Sequence, residues 1–194
     1  MNVPSQPPRF VLLDRDGVIN TAVRNGYVLS PDAIEILPGA PEAIARLNAA
    51  GYRVAVASNQ QCVGKGELSE AGLDAITQAV RDRVAAAGGA IEAFFYCRHL
   101  ASDGCDCRKP KPGLLLQAQR AFGFDLAATY FVGDAYTDLE TAANASCPAI
   151  FIRSGLDAAR CDAGEPFPSP PAAVVADLAE AVDFILRDDT SPSP

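Results

Sequence analysis

No stretch of about 18 consecutive apolar residues occurs in the sequence, so no membrane-spanning helix is expected. A basic surplus is missing too. The formal net charge is −8, and a phosphate backbone calls for a basic surface, which argues against a nucleic-acid partner. Residues 1–9 lack the basic-then-apolar pattern of a secretory leader, so the cytoplasm is the expected compartment. The phosphate-cradling P-loop is absent as well: Gly64-Lys65-Gly66 is a partial match, but Asn59 stands where that motif needs glycine. Histidine is reduced to one residue, His99.

What is present is an alternation of short apolar runs and amphipathic segments. Phe10–Leu13, Arg53–Ala57, Ile91–Tyr96, Thr129–Val132 and Ala149–Ile152 read as strands. Helices are predicted over 41–50, 69–87, 113–122, 138–145 and 174–186, with Pro41 in a first turn, Ser69 as an N-cap, and Gly51 and Gly123 as stops. Thr21–Leu37 and Asp157–Pro171 read as loops. Strands alternating with helices imply an α/β fold: a single doubly wound, mostly parallel sheet with right-handed crossovers. At 194 residues one domain is expected, spanning 10–187, with flexible tails at 1–9 and 188–194.

The chemistry-bearing residues sit at strand ends. Phe10–Leu13 runs straight into Asp14 and Asp16, with Gly17 to let the backbone turn. Ligands of open parallel sheets lie beyond the carboxyl ends of the strands. Two carboxylates there suit a hard cation such as Mg²⁺, and an aspartate can also act as a nucleophile. Alone, the stretch would also suit an Asx turn, the lesser of the two readings. Ser58-Asn59-Gln60 follows the second strand and offers a hydroxyl and two amides to phosphate oxygens. Arg108, Lys109 and Lys111 concentrate positive charge in an acidic protein, and Pro110 and Pro112 restrict their backbone. Asp134, with Asp138 four residues on, forms a second acidic cluster after the fourth strand. Four such strand ends on one sheet edge make a phosphoryl-transfer site.

Cys97, His99, Cys105 and Cys107 gather the only histidine among three cysteines. This is a tetrahedral Cys₃His set. With four protein ligands and no open position, its zinc is structural and shapes a loop over 97–107. Cys62, Cys147 and Cys161 read as buried thiols.

The combination resembles the haloacid dehalogenase superfamily of phosphatases over about residues 10–153. The motifs that match are Asp14–Gly17 (Asp-x-Asp-Gly), Ser58, Lys109, and Asp134 with Asp138. Cys-x-His…Cys-x-Cys-Arg-Lys-Pro is similar to the zinc-containing branch of that superfamily. The resemblance implies a Rossmann-like core. Asp14 would be the nucleophile that becomes an aspartyl-phosphate, and Asp16 the acid and then base. Mg²⁺ would be held by Asp14, the Asp16 carbonyl and Asp134, with Asp138 in support. Ser58 and Lys109 would grip the phosphoryl oxygens, Asn59 and Gln60 would lie beside them, and Arg108 would hold substrate. It further implies action on the 7-phosphate of a heptose bisphosphate, to which Asn20, Gly26-Tyr27-Val28, Asn59-Gln60 and Lys111-Pro112-Gly113 point, or else on histidinol phosphate; a monomer is expected. A phospho-accepting receiver domain is the remote alternative, although it needs neither Asp16 nor a zinc loop. Gln61-Cys62 and Ala135 depart from the branch pattern beside the site. The segments between Asp14 and Ser58, and between Ser58 and Lys109, are used up by the predicted elements, so no cap domain and an open site are expected.

Overall fold

Strand β1, Phe10–Leu13, is buried along its whole length and lies at the centre of a six-stranded sheet. The computed structural model describes residues 7–189. The other strands are β2 (Arg53–Asn59), β3 (Ala93–Cys97), β4 (Tyr130–Gly133), β5 (Ala149–Ile152) and β6 (Ala173–Val175). They run in the order β3-β2-β1-β4-β5-β6, and every pairing is parallel. The doubly wound order reverses at β1, and a switch point of this kind opens a crevice at the carboxyl edge.

Alternation along the strands builds two cores. Val11 and Leu13 face one side with α1 (Ala40–Ala49), α3 (Glu70–Ala86) and α7 (Leu178–Asp189). Phe10 and Leu12 face the other with α4 (Gly113–Phe122) and α5 (Tyr136–Asn144). Burial on both faces is why the strands read as continuous apolar runs and not as alternating ones. Ser69 caps α3 by accepting from Gly72 N at 3.0 Å. Gly123 ends α4 at φ +72°, a conformation L side chains rarely adopt.

The segment between β1 and α1 folds back onto the strand end. Asn20 bridges both Asp16 and Ile36, and Leu37 N donates to Ile19 O at 2.9 Å. The described residues form a single six-stranded sheet with its flanking helices.

Three expectations change. Ser58 and Asn59 belong to β2, because pairing with β3 continues to Asn59↔Cys97. A four-residue helix, α2 (Gln61–Gly64), follows directly. The segment read as one helix over 174–186 is divided. Ala173–Val175 pairs with β5 as the edge strand, and α7 starts at Leu178. Two successive valines suit a strand, and Asp177 and Glu180 make a reciprocal cap: Glu180 N donates to Asp177 Oδ1 at 3.0 Å, and Ala176 N donates to Glu180 Oε2 at 2.8 Å. The long loop over 157–171 contains a short helix, α6 (Ala158–Asp162). Of the two expected tails, residues 1–6 and 190–194 lie outside the described residues, while Asp188 and Asp189 are helical.

Leu12 is fully buried in the second core. Leu12→Ala is expected to lower unfolding free energy by about 2–5 kcal/mol. Urea titration followed by circular dichroism checks this, and a loss below about 1 kcal/mol would contradict the packing described.

Candidate active site

Asp14 leaves the end of β1, and its N–H donates to Val132 O at 2.9 Å, which ties it to β4. Asp134 leaves β4, and Asp138 lies in the first turn of α5. One carboxylate oxygen of each falls within 4.8 Å of the others, and all three residues are buried. Lys109, just before α4, extends its ammonium between them, 2.7 Å from Asp14 Oδ2 and 2.6 Å from Asp138 Oδ1. These are ion-pair contacts that lack hydrogen-bond alignment. Three acids facing one cation leave a surplus of negative charge.

The titration behaviour follows from that crowding. Burial, then Asp138 and Asp14, push the Asp134 carboxyl well above the usual range. Burial pushes Asp138 up to about 6, outweighing the pull of Lys109, with Asp14 adding to the rise. For Lys109 burial opposes the charge, but Asp138 and Asp14 outweigh it and hold the ammonium protonated above the ordinary lysine value. Asp134 Oδ1 is buried without a hydrogen-bond partner. Crowded, buried carboxylate oxygens of this kind fit a hard, oxygen-liganded dication, and Asp14, Asp134 and Asp138 are placed so that they would hold Mg²⁺.

The backbone around this cluster has no room to spare. Gly17 has φ +86°, and an added Cβ would stand 2.2 Å from Asp134 Oδ2. Gly155, in the loop after β5, would place a Cβ 1.9 Å from the same oxygen. Leu156 N donates to Asp134 Oδ2 at 2.6 Å, and Ser154 Oγ donates to Gly17 O at 2.9 Å. The loop over 154–157 thus clamps Asp134 from the side opposite β1. Sequence reading passed over it, because a lone Ser-Gly after a strand looks like an ordinary turn.

Asp14, Asp16, Ser58, Asn59, Gln60, Lys109 and Asp134 line one pocket with Tyr27 and Leu156 at its walls. Two of the expected phosphate contacts are otherwise engaged. Asn59 brackets the Lys109 backbone, accepting from its N–H at 3.1 Å and donating to its carbonyl at 3.2 Å. Gln60 Nε2 donates to Asp16 Oδ2 at 2.7 Å and to Ser58 Oγ at 3.2 Å. Both amides therefore position neighbouring groups. Arg108 lies outside this pocket, in an adjoining groove with Gly104, Cys105 and Lys111, and its Nη1 is buried without a hydrogen-bond partner. Lys111 turns back to the loop, donating to Gly104 O at 2.8 Å and Asp106 Oδ1 at 3.2 Å. Asp16 carries its carboxylate away from the metal cluster, onto Arg15, Asn20 and Gln60. Of the departures from the branch pattern, Gln61 donates to Tyr27 Oη at 2.7 Å and so braces the pocket wall, while Ala135 lines the pocket and makes no side-chain hydrogen bond.

The cysteine cluster has the dimensions of a tetrahedral site. Cys97 Sγ and Cys107 Sγ lie 3.6 and 3.5 Å from Cys105 Sγ, and His99 Nδ1 lies 3.2 Å from Cys107 Sγ. Sulfurs about 2.3 Å from a common zinc stand about 3.8 Å apart, close to these edges. Burial and the neighbouring thiols push the Cys107 thiol up to about 12, a crowding that zinc would relieve.

Parallel sheet, strand-end carboxylates and buried lysine together define the class, a haloacid dehalogenase-like hydrolase. The family model described as HAD-hydrolase-like matches residues 106–181. A D-glycero-beta-D-manno-heptose-1,7-bisphosphate 7-phosphatase of Pseudomonas aeruginosa is 40% identical over 178 residues, covering 92% of this chain and 98% of that one. One from Neisseria meningitidis is 32% identical over 95% of this chain and 98% of its own. The crystal structure of D,D-heptose 1,7-bisphosphate phosphatase from Bordetella bronchiseptica, complexed with magnesium and phosphate, superposes with a TM-score of 0.87 at 37% identity, over 93% of this chain and 99% of that one. The chain belongs to the D-glycero-beta-D-manno-heptose-1,7-bisphosphate 7-phosphatase family.

Gly155→Ala must displace Asp134, so the Mg²⁺ concentration for half-maximal activity is expected to rise about 10–100-fold. A magnesium titration of the variant tests this, and an unchanged midpoint would show that the clamp is not needed. Metal analysis should find about one zinc per chain, and Cys105→Ser should lose it with a lowered melting temperature. A zinc-free protein with unchanged melting temperature would refute the structural role.

Proposed function

We propose that this protein hydrolyses the 7-phosphate of D-glycero-β-D-manno-heptose 1,7-bisphosphate, with Asp14 as nucleophile. The observation that carries the mechanism is Asp14 at the sheet edge with the Lys109 ammonium 2.7 Å from its carboxylate. The substrate assignment rests on a relative at 40% identity over nearly its full length.

In the first step an Asp14 carboxylate oxygen attacks phosphorus. The bond from phosphorus to the sugar oxygen breaks, and Asp16 gives its proton to that leaving oxygen. In the second step a water oxygen attacks the aspartyl-phosphate. Asp16 takes the water's proton, the bond from phosphorus to Asp14 breaks, and inorganic phosphate leaves. Ser58 and Lys109 hold the phosphoryl oxygens, and Lys109 also offsets the repulsion between an anionic nucleophile and an anionic ester. Asp14, Asp134 and the Asp16 carbonyl, with Asp138 in support, would hold Mg²⁺, which would supply positive charge to offset the negative charge on the phosphoryl oxygens. Asn59 fixes Lys109 through its backbone, and Gln60 fixes Asp16 and Ser58. Arg108 borders the adjoining groove, suited to the part of the substrate remote from the reacting phosphate.

One chain supplies every residue of this reading, which favours a monomer. A Cys₃His set held for zinc favours a reducing compartment such as the cytoplasm. No helix among the described residues is long and apolar enough to cross a membrane.

Asp14→Asn is expected to abolish phosphate release while leaving circular dichroism and zinc content unchanged. Retained turnover would sink the mechanism. For substrate, kcat/KM for the β anomer is expected to exceed that for the α anomer and for histidinol phosphate by about 100-fold, or about 2.7 kcal/mol of transition-state discrimination. Preference for histidinol phosphate would overturn the substrate while leaving the chemistry in place.

A further inference from the structure

Between the two strand-end aspartates stands Arg15, which no part of the mechanism above uses. It is 0% exposed, so its side chain touches neither solvent nor substrate. Its backbone N–H donates to Asp14 Oδ1 at 2.7 Å. Its guanidinium grips Asp16: Nε and Nη2 reach Oδ1 at 3.2 and 2.9 Å, and Nη2 reaches Oδ2 at 3.0 Å. Nη2 also donates to Gln60 Oε1 at 3.2 Å, and Gln60 Nε2 reaches Asp16 Oδ2 at 2.7 Å. Asn20 Nδ2 closes the ring on Asp16 Oδ1 at 2.8 Å. Behind the guanidinium lies the Tyr96 ring, 6.0 Å away, whose hydroxyl meets Thr77 Oγ1 at 2.9 Å. Among the described residues, Asp16 is the only carboxylate in ion-pair contact with Arg15.

A buried guanidinium costs stability unless a well-aligned charge and hydrogen bonds offset it, and Arg15 Nη1 is left without a hydrogen-bond partner. Here the bidentate partner is the residue whose charge changes during the reaction. As Asp16 passes its proton to the leaving oxygen, negative charge builds on the carboxylate that faces Arg15. Donors on both of its oxygens hold that carboxylate in one place, and a reacting group fixed in position needs no reorganisation when the proton moves. The fork geometry also fixes the plane of the carboxylate, so the proton is aimed as well as released.

We propose that Arg15 is a positioning residue that holds Asp16 in the plane and direction from which its proton reaches the leaving oxygen. The proposal rests on the reading of Asp16 as acid and base. A sugar alkoxide is a poor leaving group and needs that proton, whereas 4-nitrophenolate departs without it. Comparing the two esters therefore isolates the acid role from a general loss of structure.

The experiment measures kcat/KM of the full chain with Mg²⁺ for heptose 1,7-bisphosphate and for 4-nitrophenyl phosphate, in Arg15→Met, Arg15→Lys and Asp16→Asn. Arg15→Met is expected to lose about 100-fold on the sugar ester and less than about 3-fold on the aryl ester, within the range general acid catalysis supplies. Arg15→Lys, which keeps the charge without the fork, is expected to lose about 10-fold on the sugar ester alone, and it decides the question if Arg15→Met does not fold. Equal losses on both esters in the Arg15 variants, with a selective loss in Asp16→Asn, would overturn the proposal and leave the acid reading standing. Equal losses in Asp16→Asn as well would remove the acid reading and the proposal with it.

Discussion

One buried ammonium among three buried carboxylates is the constraint on which the site depends. Lys109 reaches Asp14 and Asp138 at once, and both contacts lie at the sheet edge where β1 and β4 run side by side. Without that cation, Asp14, Asp134 and Asp138 would repel one another in a medium that screens poorly. With it, charge still remains to be balanced, and the orphaned Asp134 oxygen shows where a dication belongs. A site built this way attracts both a metal and a phosphate ester. It holds an excess of acid for the first, and a dication would cancel that excess so that an anionic ester can approach.

The rest of the architecture keeps those charges in register. Parallel pairing brings Asp14 and Asp134 to one edge, since both follow directly from adjacent strands. Asn59 locks Lys109 through its backbone amide and carbonyl. The loop after β5 clamps Asp134, and only glycine fits at position 155. The segment over 97–107 joins β3 to the Arg108-Lys109 turn, so four zinc ligands would anchor the arm that carries the Lys109 ammonium. Polar side chains around the pocket are spent mainly on one another. That preorganisation is what lets a small site without a cap hold reacting groups in place.

Some of this was legible in the residues alone. Apolar runs ending in Asp14 and in Gly133-Asp134 marked the strand ends, and the lone histidine among cysteines marked a metal loop. The edge strand Ala173–Val175 was not separated from the helix that follows. Three residues carry too little periodicity to stand out, although Asp177-x-x-Glu180 signalled where that helix starts. Roles blurred where residues of one chemical type lie in a row. Asn59 and Gln60 look alike as phosphate ligands, yet one turns to Lys109 and the other to Asp16, because successive residues at a strand end point to opposite sides.

The sequence by itself determined the strand–helix alternation, the acids at the strand ends, the cation run and the metal-binding loop. Each of these is local and follows from composition and short spacing. Tertiary structure alone decided that Lys109 pairs with both Asp14 and Asp138, that Arg15 is buried against Asp16, and that Gly155 abuts Asp134. Those contacts join segments far apart in the chain or turn on which way a single side chain faces, and no local pattern encodes them. They are set by the order and register of the strands.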